Sequence, residues 1–197
     1  MRRNTFVDRS FVFFVSFVSF VFVLSVHAAQ GQSLLEAVRR GEPAAVDAAI
    51  AKGADVNARQ GDGATALHWA VHHDDRDMVA KLLRAGADVK AVNELGVTPL
   101  MLACLNASPR MVDVLLEAGA DPDAAAPGRE TPLMVGSWTG SAEVVRLLIA
   151  AGADVNAKEA SRQQTALMWA ASERHAEIVR LLVQSGAERL IRGVVGP

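Results

Sequence analysis

The 197-residue chain has no tyrosine, one cysteine, and no phenylalanine beyond Phe22. Each absence closes a route. A single thiol, Cys104, can form neither an internal disulfide nor a multi-cysteine zinc site. Its neighbours from Met101 to Leu105 are apolar, which suits a small core residue and not an activated nucleophile. Beyond residue 28 the aromatic residues are Trp69, Trp138 and Trp169, so Ala, Leu, Val, Ile and Met must build the core. Such a composition favours closely packed helices. The chain also lacks a Gly-x-Ser-x-Gly elbow, a phosphate-binding glycine loop and a suitably placed acidic pair, so no catalytic chemistry is signalled and no cofactor is called for. A strong excess of positive or negative charge is missing as well. Residues 29–197 carry 17 Lys/Arg against 21 Asp/Glu, which gives no basic footprint for nucleic acid and no polybasic membrane anchor.

The N-terminus is of another composition. Arg2, Arg3 and Arg9 precede an apolar run from Phe11 to Val26 that is broken only by three serines, and all seven phenylalanines lie within Phe6–Phe22. Val26-His27-Ala28 then places small residues at −3 and −1 of a cleavage site after Ala28. Residues 1–28 therefore read as an export signal, which would deliver the mature chain to a periplasmic or secreted location free of the membrane. An uncleaved anchor is the alternative; at 16 residues the run is short of the roughly 20 that a spanning helix needs.

The rest of the chain is periodic. Gly53-Ala54, Gly86-Ala87, Gly119-Ala120, Gly152-Ala153 and Gly186-Ala187 recur at steps of 33, 33, 33 and 34 residues. Thr65, Thr98, Thr131 and Thr165 each stand 21 residues before a glycine of the series. Regularity of this kind belongs to a stack of near-identical units, each burying its apolar face against the next. Within a unit the threonine is placed to cap a first helix, with proline following it at Pro99 and Pro132. A second helix follows, with apolar residues such as Val144, Val145, Leu147 and Leu148 at helical spacing. The glycine ends it in a left-handed C-cap.

Thr98-Pro99-Leu100, Thr131-Pro132-Leu133, the Ala-Leu-His-Trp-Ala of 66–70 and the Gly-Ala-Asp-Val-Asn of 53–57 and 152–156 resemble ankyrin repeats. So do the Glu-Val-Val-Arg-Leu-Leu of 143–148 and the Glu-Ile-Val-Arg-Leu-Leu of 177–182. The resemblance implies an all-α solenoid of stacked antiparallel helix pairs with β-hairpin-like fingers and a concave face that binds a partner protein. It divides residues 33–188 into an N-terminal cap (33–57) and repeats of about 60–92, 93–125, 126–158 and 160–190, with a short tail at 191–197. The first unit lacks the Thr-Pro-Leu start, as a capping unit would. The segment between Gly152 and Thr165 holds one extra residue and should bulge or loop out. No polar cap follows Gly186: either the last full unit caps itself and frays, the chain is cut from a longer array, or the apolar tail folds back over the end.

Three groups of residues are candidate sites. His68 and His72 are four apart, which on a helix gives the spacing of some zinc pairs, and the polar cluster runs on to Asp77. Against a metal, the resemblance puts His68 at a position where the ring bonds within and between repeats. Trp69 and Trp169 share one repeat position and are expected to pack between helices. Trp138 lies three residues later in its unit, in register with His72, Leu105 and Ser172, where the resemblance places exposed inner-helix surface. Leu95, Val97, Leu105 and Trp138 thus form an expected apolar patch, flanked by His72 and His73, on the concave side. The functional expectation is a monomeric, non-catalytic module that captures a protein partner. The alternatives are a metal-binding protein or metal-dependent enzyme at His68–Asp77, and an inhibitory or stabilising subunit of an exported enzyme.

Overall fold

A computed structural model describes residues 34–187, which form ten helices and no strands. The segment read as an export signal and the C-terminal tail lie outside the described residues. The helices are α1 (residues 34–39), α2 (Pro43–Ala51), α3 (Ala66–His72), α4 (Arg76–Arg84), α5 (Pro99–Leu105), α6 (Pro109–Glu117), α7 (Pro132–Thr139), α8 (Ala142–Ala150), α9 (Ala166–Ser172) and α10 (Ala176–Gln184). They make five antiparallel pairs. In the four full units the odd-numbered helix packs on its own even-numbered partner, and α3, α5, α7 and α9 also pack on one another as an inner row. Helices α6, α8 and α10 continue as an outer row. Between the rows lies one continuous core that includes Leu67, Leu82, Leu100, Leu115, Leu133, Leu148 and Leu182.

The Gly-Ala pair is the device that ends each outer helix. All five glycines adopt φ between +79° and +91°, the left-handed region that only a residue without Cβ enters freely. The alanine N–H then reaches five residues back, to the carbonyls of Ala49, Leu82, Leu115, Leu148 and Leu182, at 2.9–3.0 Å. Those bonds satisfy carbonyls the helix would otherwise leave open. The aspartates that follow are also structural. Asp55, Asp88, Asp121 and Asp154 each accept the N–H two residues on, at 2.9 Å, forming a side-chain-closed turn.

The threonines behave less uniformly than their spacing implies. Thr98 and Thr131 accept from the Met101 and Met134 N–H groups at 3.2 and 3.4 Å. Thr165 makes no such side-chain bond, and Thr65 is joined instead to the His68 ring. Thr98 and Thr131 are each followed by proline, whereas Thr165 is followed by alanine. Proline restricts the residue before it, and that restriction coincides with the hydroxyl in reach of the third N–H.

Four fingers connect the units. Each is closed at its base by a backbone bond: Gln60 N–H to Ala64, Asn93 to Val97, Ala126 to Glu130, and Glu159 to Gln164, at 2.8–3.1 Å. The last spans one residue more than the others. The extra residue does not loop out freely. Glu159 is buried, and its carboxylate accepts from the Ser161 N–H and hydroxyl and the Arg162 and Gln164 N–H groups at 2.5–3.0 Å. These donors hold its carboxyl down at about 2.

At the C-terminal end Leu167, Met168 and Val179 are half-buried. Their counterparts in the preceding units, including Leu133, Met134 and Val145, are fully buried by the unit that follows them.

Candidate partner-binding face

The orientation of the inner helices follows from their small residues. An ideal Cβ on Gly136 would lie 2.9 Å from Val144 and within 3.7 Å of Val145 and Leu148, so this side of α7 is pressed against α8. Ala70, Ala103 and Ala170 hold the same register and are buried. Two residues further on, about 200° around a helix, stand His72, Leu105, Trp138 and Ser172. This face of the inner row is therefore turned away from the outer row. On it Leu105 is 44% exposed and Trp138 51%, large apolar areas for residues in helices.

The second finger adds Leu95, 74% exposed, and Val92, 42% exposed. Val92 was not a sequence candidate. Its only sequence signal was a branched apolar residue at a finger position held by Arg59, Ala125 and Lys158 elsewhere. Hydrogen bonds set the shape of the finger where it carries these side chains. Asn93 Oδ1 accepts the Leu95 and Val97 N–H groups at 3.0 and 2.9 Å, and Arg59 donates to the Val92 carbonyl at 2.8 Å. Val97 differs from the expectation: it is half-buried against the core and supports the finger from below.

The Val97 carbonyl accepts from His68 Nε2 at 3.0 Å, while His68 Nδ1 accepts the Thr65 N–H at 3.2 Å and lies 2.9 Å from the Thr65 hydroxyl. A backbone N–H can only donate, so Nδ1 is the bare nitrogen and Nε2 carries the proton. Both ring nitrogens are thereby engaged, and the ring is 3% exposed. Burial holds its pKa below the ordinary histidine value; Arg59 acts in the same sense, against the Val97 bond and Asp62. The alternative reading, a metal between His68 and His72, finds no such pair, because one ring faces the next unit's finger and the other is exposed. Among the described residues no three potential ligands assemble.

His72 and His73 are exposed and belong to an aromatic group instead. Their rings lie 5.8 and 6.1 Å from Trp69, and the Arg39 guanidinium stands 5.0 Å over the indole. Trp69 Nε1 donates to Gln60 at 3.0 Å. Trp169 repeats this half-buried packing, but its Nε1 is buried without a partner. The residue in the place of Gln60 is Glu159, whose carboxylate is already held by its own finger. Cys104 lies fully buried in α5, where burial pushes the thiol up to about 12 and keeps it unreactive.

A family model described as ankyrin repeats (3 copies) matches the chain over residues 34–126, 98–159 and 126–192. Together these stretches cover most of the sequence, and the chain belongs to the ankyrin-repeat family. Repeats of this family are generally protein–protein interaction modules and typically non-catalytic. A comparison with curated proteins returned no match. Among the described residues no helix is long and apolar enough to cross a membrane.

Proposed function

We propose that this is an exported, monomeric interaction module that holds a protein partner on the outward face of its inner helices and fingers. Leu95, Leu105 and Trp138 are its apolar contacts, with Val92 beside them and His72 and His73 at the N-terminal margin. The observation that carries the reading is Trp138: half-exposed, on a helix whose opposite side is locked against α8. A large aromatic side chain exposed among aliphatic neighbours is the usual centre of a binding hot spot. Each repeat is folded before contact, so little local ordering is needed on binding. Export rests on the basic, apolar and small-residue pattern of residues 1–28.

Affinity capture from the exported compartment tests the surface, comparing the parent chain with Trp138→Ala. Truncation should weaken capture by at least about 2 kcal/mol, some thirtyfold, while the helical circular dichroism stays unchanged. Parallel loss of capture and helicity would assign Trp138 to the fold. N-terminal sequencing of the expressed protein tests export: the first residue should be Ala29, and an intact Met1 would overturn cleavage.

A further inference from the structure

Two rows of hydrogen bonds join successive units along the finger side, and both stop at the same place. The first row is made by the residue four positions after each helix-ending glycine. Asn57 donates to the Gly86 carbonyl at 3.0 Å and accepts from the Asp88 N–H at 2.8 Å. Asp123 accepts from Asp154 at 2.9 Å, and Asn156 donates to Gly186 at 3.2 Å. The residue of this register in the second unit is Lys90, whose side chain has no acceptor, and no hydrogen bond joins it to Gly119 or Asp121. The second row runs finger to finger. Glu94 N–H donates to Asp62 at 2.9 Å and Ala160 N–H to Gly128 at 2.8 Å. The donor of this register on the third finger is Pro127, which has no N–H.

Among the described residues, the second finger (residues 90–97) and the third (residues 123–130) thus share no hydrogen bond. Their contact is steric, with the Pro127 ring against Gly96, where a Cβ would fall 2.4 Å from Cδ. The helices on either side remain joined. Helix α5 packs on α7 and α6 on α8, and the Thr139 hydroxyl donates to the Cys104 carbonyl at 3.2 Å.

We propose that the finger row consists of two separately bonded leaves, residues 57–97 and 123–164, and that the solenoid flexes at the seam between them with the helix rows as hinge. Leu95 stands on one leaf, and Trp138 follows the finger of the other. Opening the seam changes the span between these two contacts. A partner touching both must therefore set the seam, and the seam sets how tightly it is held. This regulation rests on the reading of that face as the binding surface.

Amide hydrogen exchange on the full chain tests the seam without a partner, so it is decided separately from the Trp138→Ala experiment. The amides of Asn93, Val97 and Ala126 should exchange faster than those of Gln60 and Glu159, which lie in the flanking fingers. Lys90→Asn restores the side-chain row and Pro127→Ala the missing donor. Together they should slow exchange at Asn93, Val97 and Ala126 by about tenfold, leaving Gln60 and Glu159 unchanged. Lys90→Asn alone should slow it by a smaller factor, and that variant leaves the finger's own proline in place. Equal protection of all four fingers in the parent, or no slowing in Lys90→Asn, overturns the proposal.

Discussion

Replacing His68 by methionine tests how the second unit is tied to the third, because Met101 and Met134 already occupy the same register fully or nearly buried. The substitution is therefore one the fold accepts sterically. It removes the bond from Nε2 to the Val97 carbonyl and those from Thr65 to Nδ1. The Val97 carbonyl keeps its bond from the Asn93 N–H, but the buried Thr65 N–H is left without its acceptor, which costs about 1–3 kcal/mol, and the better burial of a thioether offsets part of it. A net loss of about 1–2 kcal/mol at pH 8 is expected, a few degrees in Tm for a domain of this size. The pH dependence distinguishes this account from a simple packing change. Unfolded His68 takes up a proton near 6.5; folded His68 resists it, chiefly because it is buried. Between the two values the unfolded chain binds more protons, so the parent's stability is fully present above about pH 7 and falls as pH drops. The variant lacks this component, and every other group is common to the two proteins and cancels from the difference. The parent's advantage in urea midpoint should thus be largest at pH 8 and shrink towards pH 5. A gap that stays constant over that range, or widens on acidification, would refute the assignment of the buried ring as neutral.

Ala107 holds φ +50° in the turn between α5 and α6, where the fourth unit has Gly140 at +84°. Ala107→Gly should therefore raise stability by about 1 kcal/mol in urea denaturation, and a loss would show that the alanine methyl matters more than its strain. Glu159→Gln keeps the size of the side chain but removes the charge its donors hold. Since the carboxyl sits at about 2 in the folded chain, the parent's advantage should be full above about pH 5 and vanish as pH falls towards 2, read as Tm against pH; a pH-independent gap would assign the finger to shape alone.

How far these features could be read before the structure depends on how local they are. The Gly-Ala pairs announced the ends of the outer helices because the left-handed glycine and its backward-reaching bond are settled within six residues. The repeat spacing then required helix pairs to stack, and the small residues at 70, 103, 136 and 170 allowed the rows to approach. Glu159 was opaque for the opposite reason. A carboxylate in a charged, lengthened finger reads as a solvated side chain, and its burial appears only when the loop closes around it. Val97 misled in the same way, since its exposure depends on where the second finger sits over the core. Thr165 keeps the spacing of Thr98 and Thr131 yet makes no cap bond, and it lacks the proline that follows those two. Pro127 carried no warning at all: a missing donor has consequence only once the neighbouring carbonyl is in place.

The repeat supplies a reference against which each departure can be weighed. Where one register position holds similar residues in every unit, the packing explains them, as with the buried leucines or the turn-closing aspartates. At the register of His72, Leu105, Trp138 and Ser172 the units differ from one another, and the side chains there face away from the core. Packing does not choose among imidazole, isobutyl, indole and hydroxymethyl at such a position, so nothing in the fold accounts for an exposed tryptophan there. The same comparison isolates Lys90 and Pro127, which sit where their counterparts carry inter-unit bonds. The surface with the largest apolar exposure and the weakest joint in the finger row thus coincide in the middle of the array. A solenoid selected only for stability would place neither feature there, and their coincidence is the reason for assigning binding to the middle units and flexion to the seam between the second and third fingers.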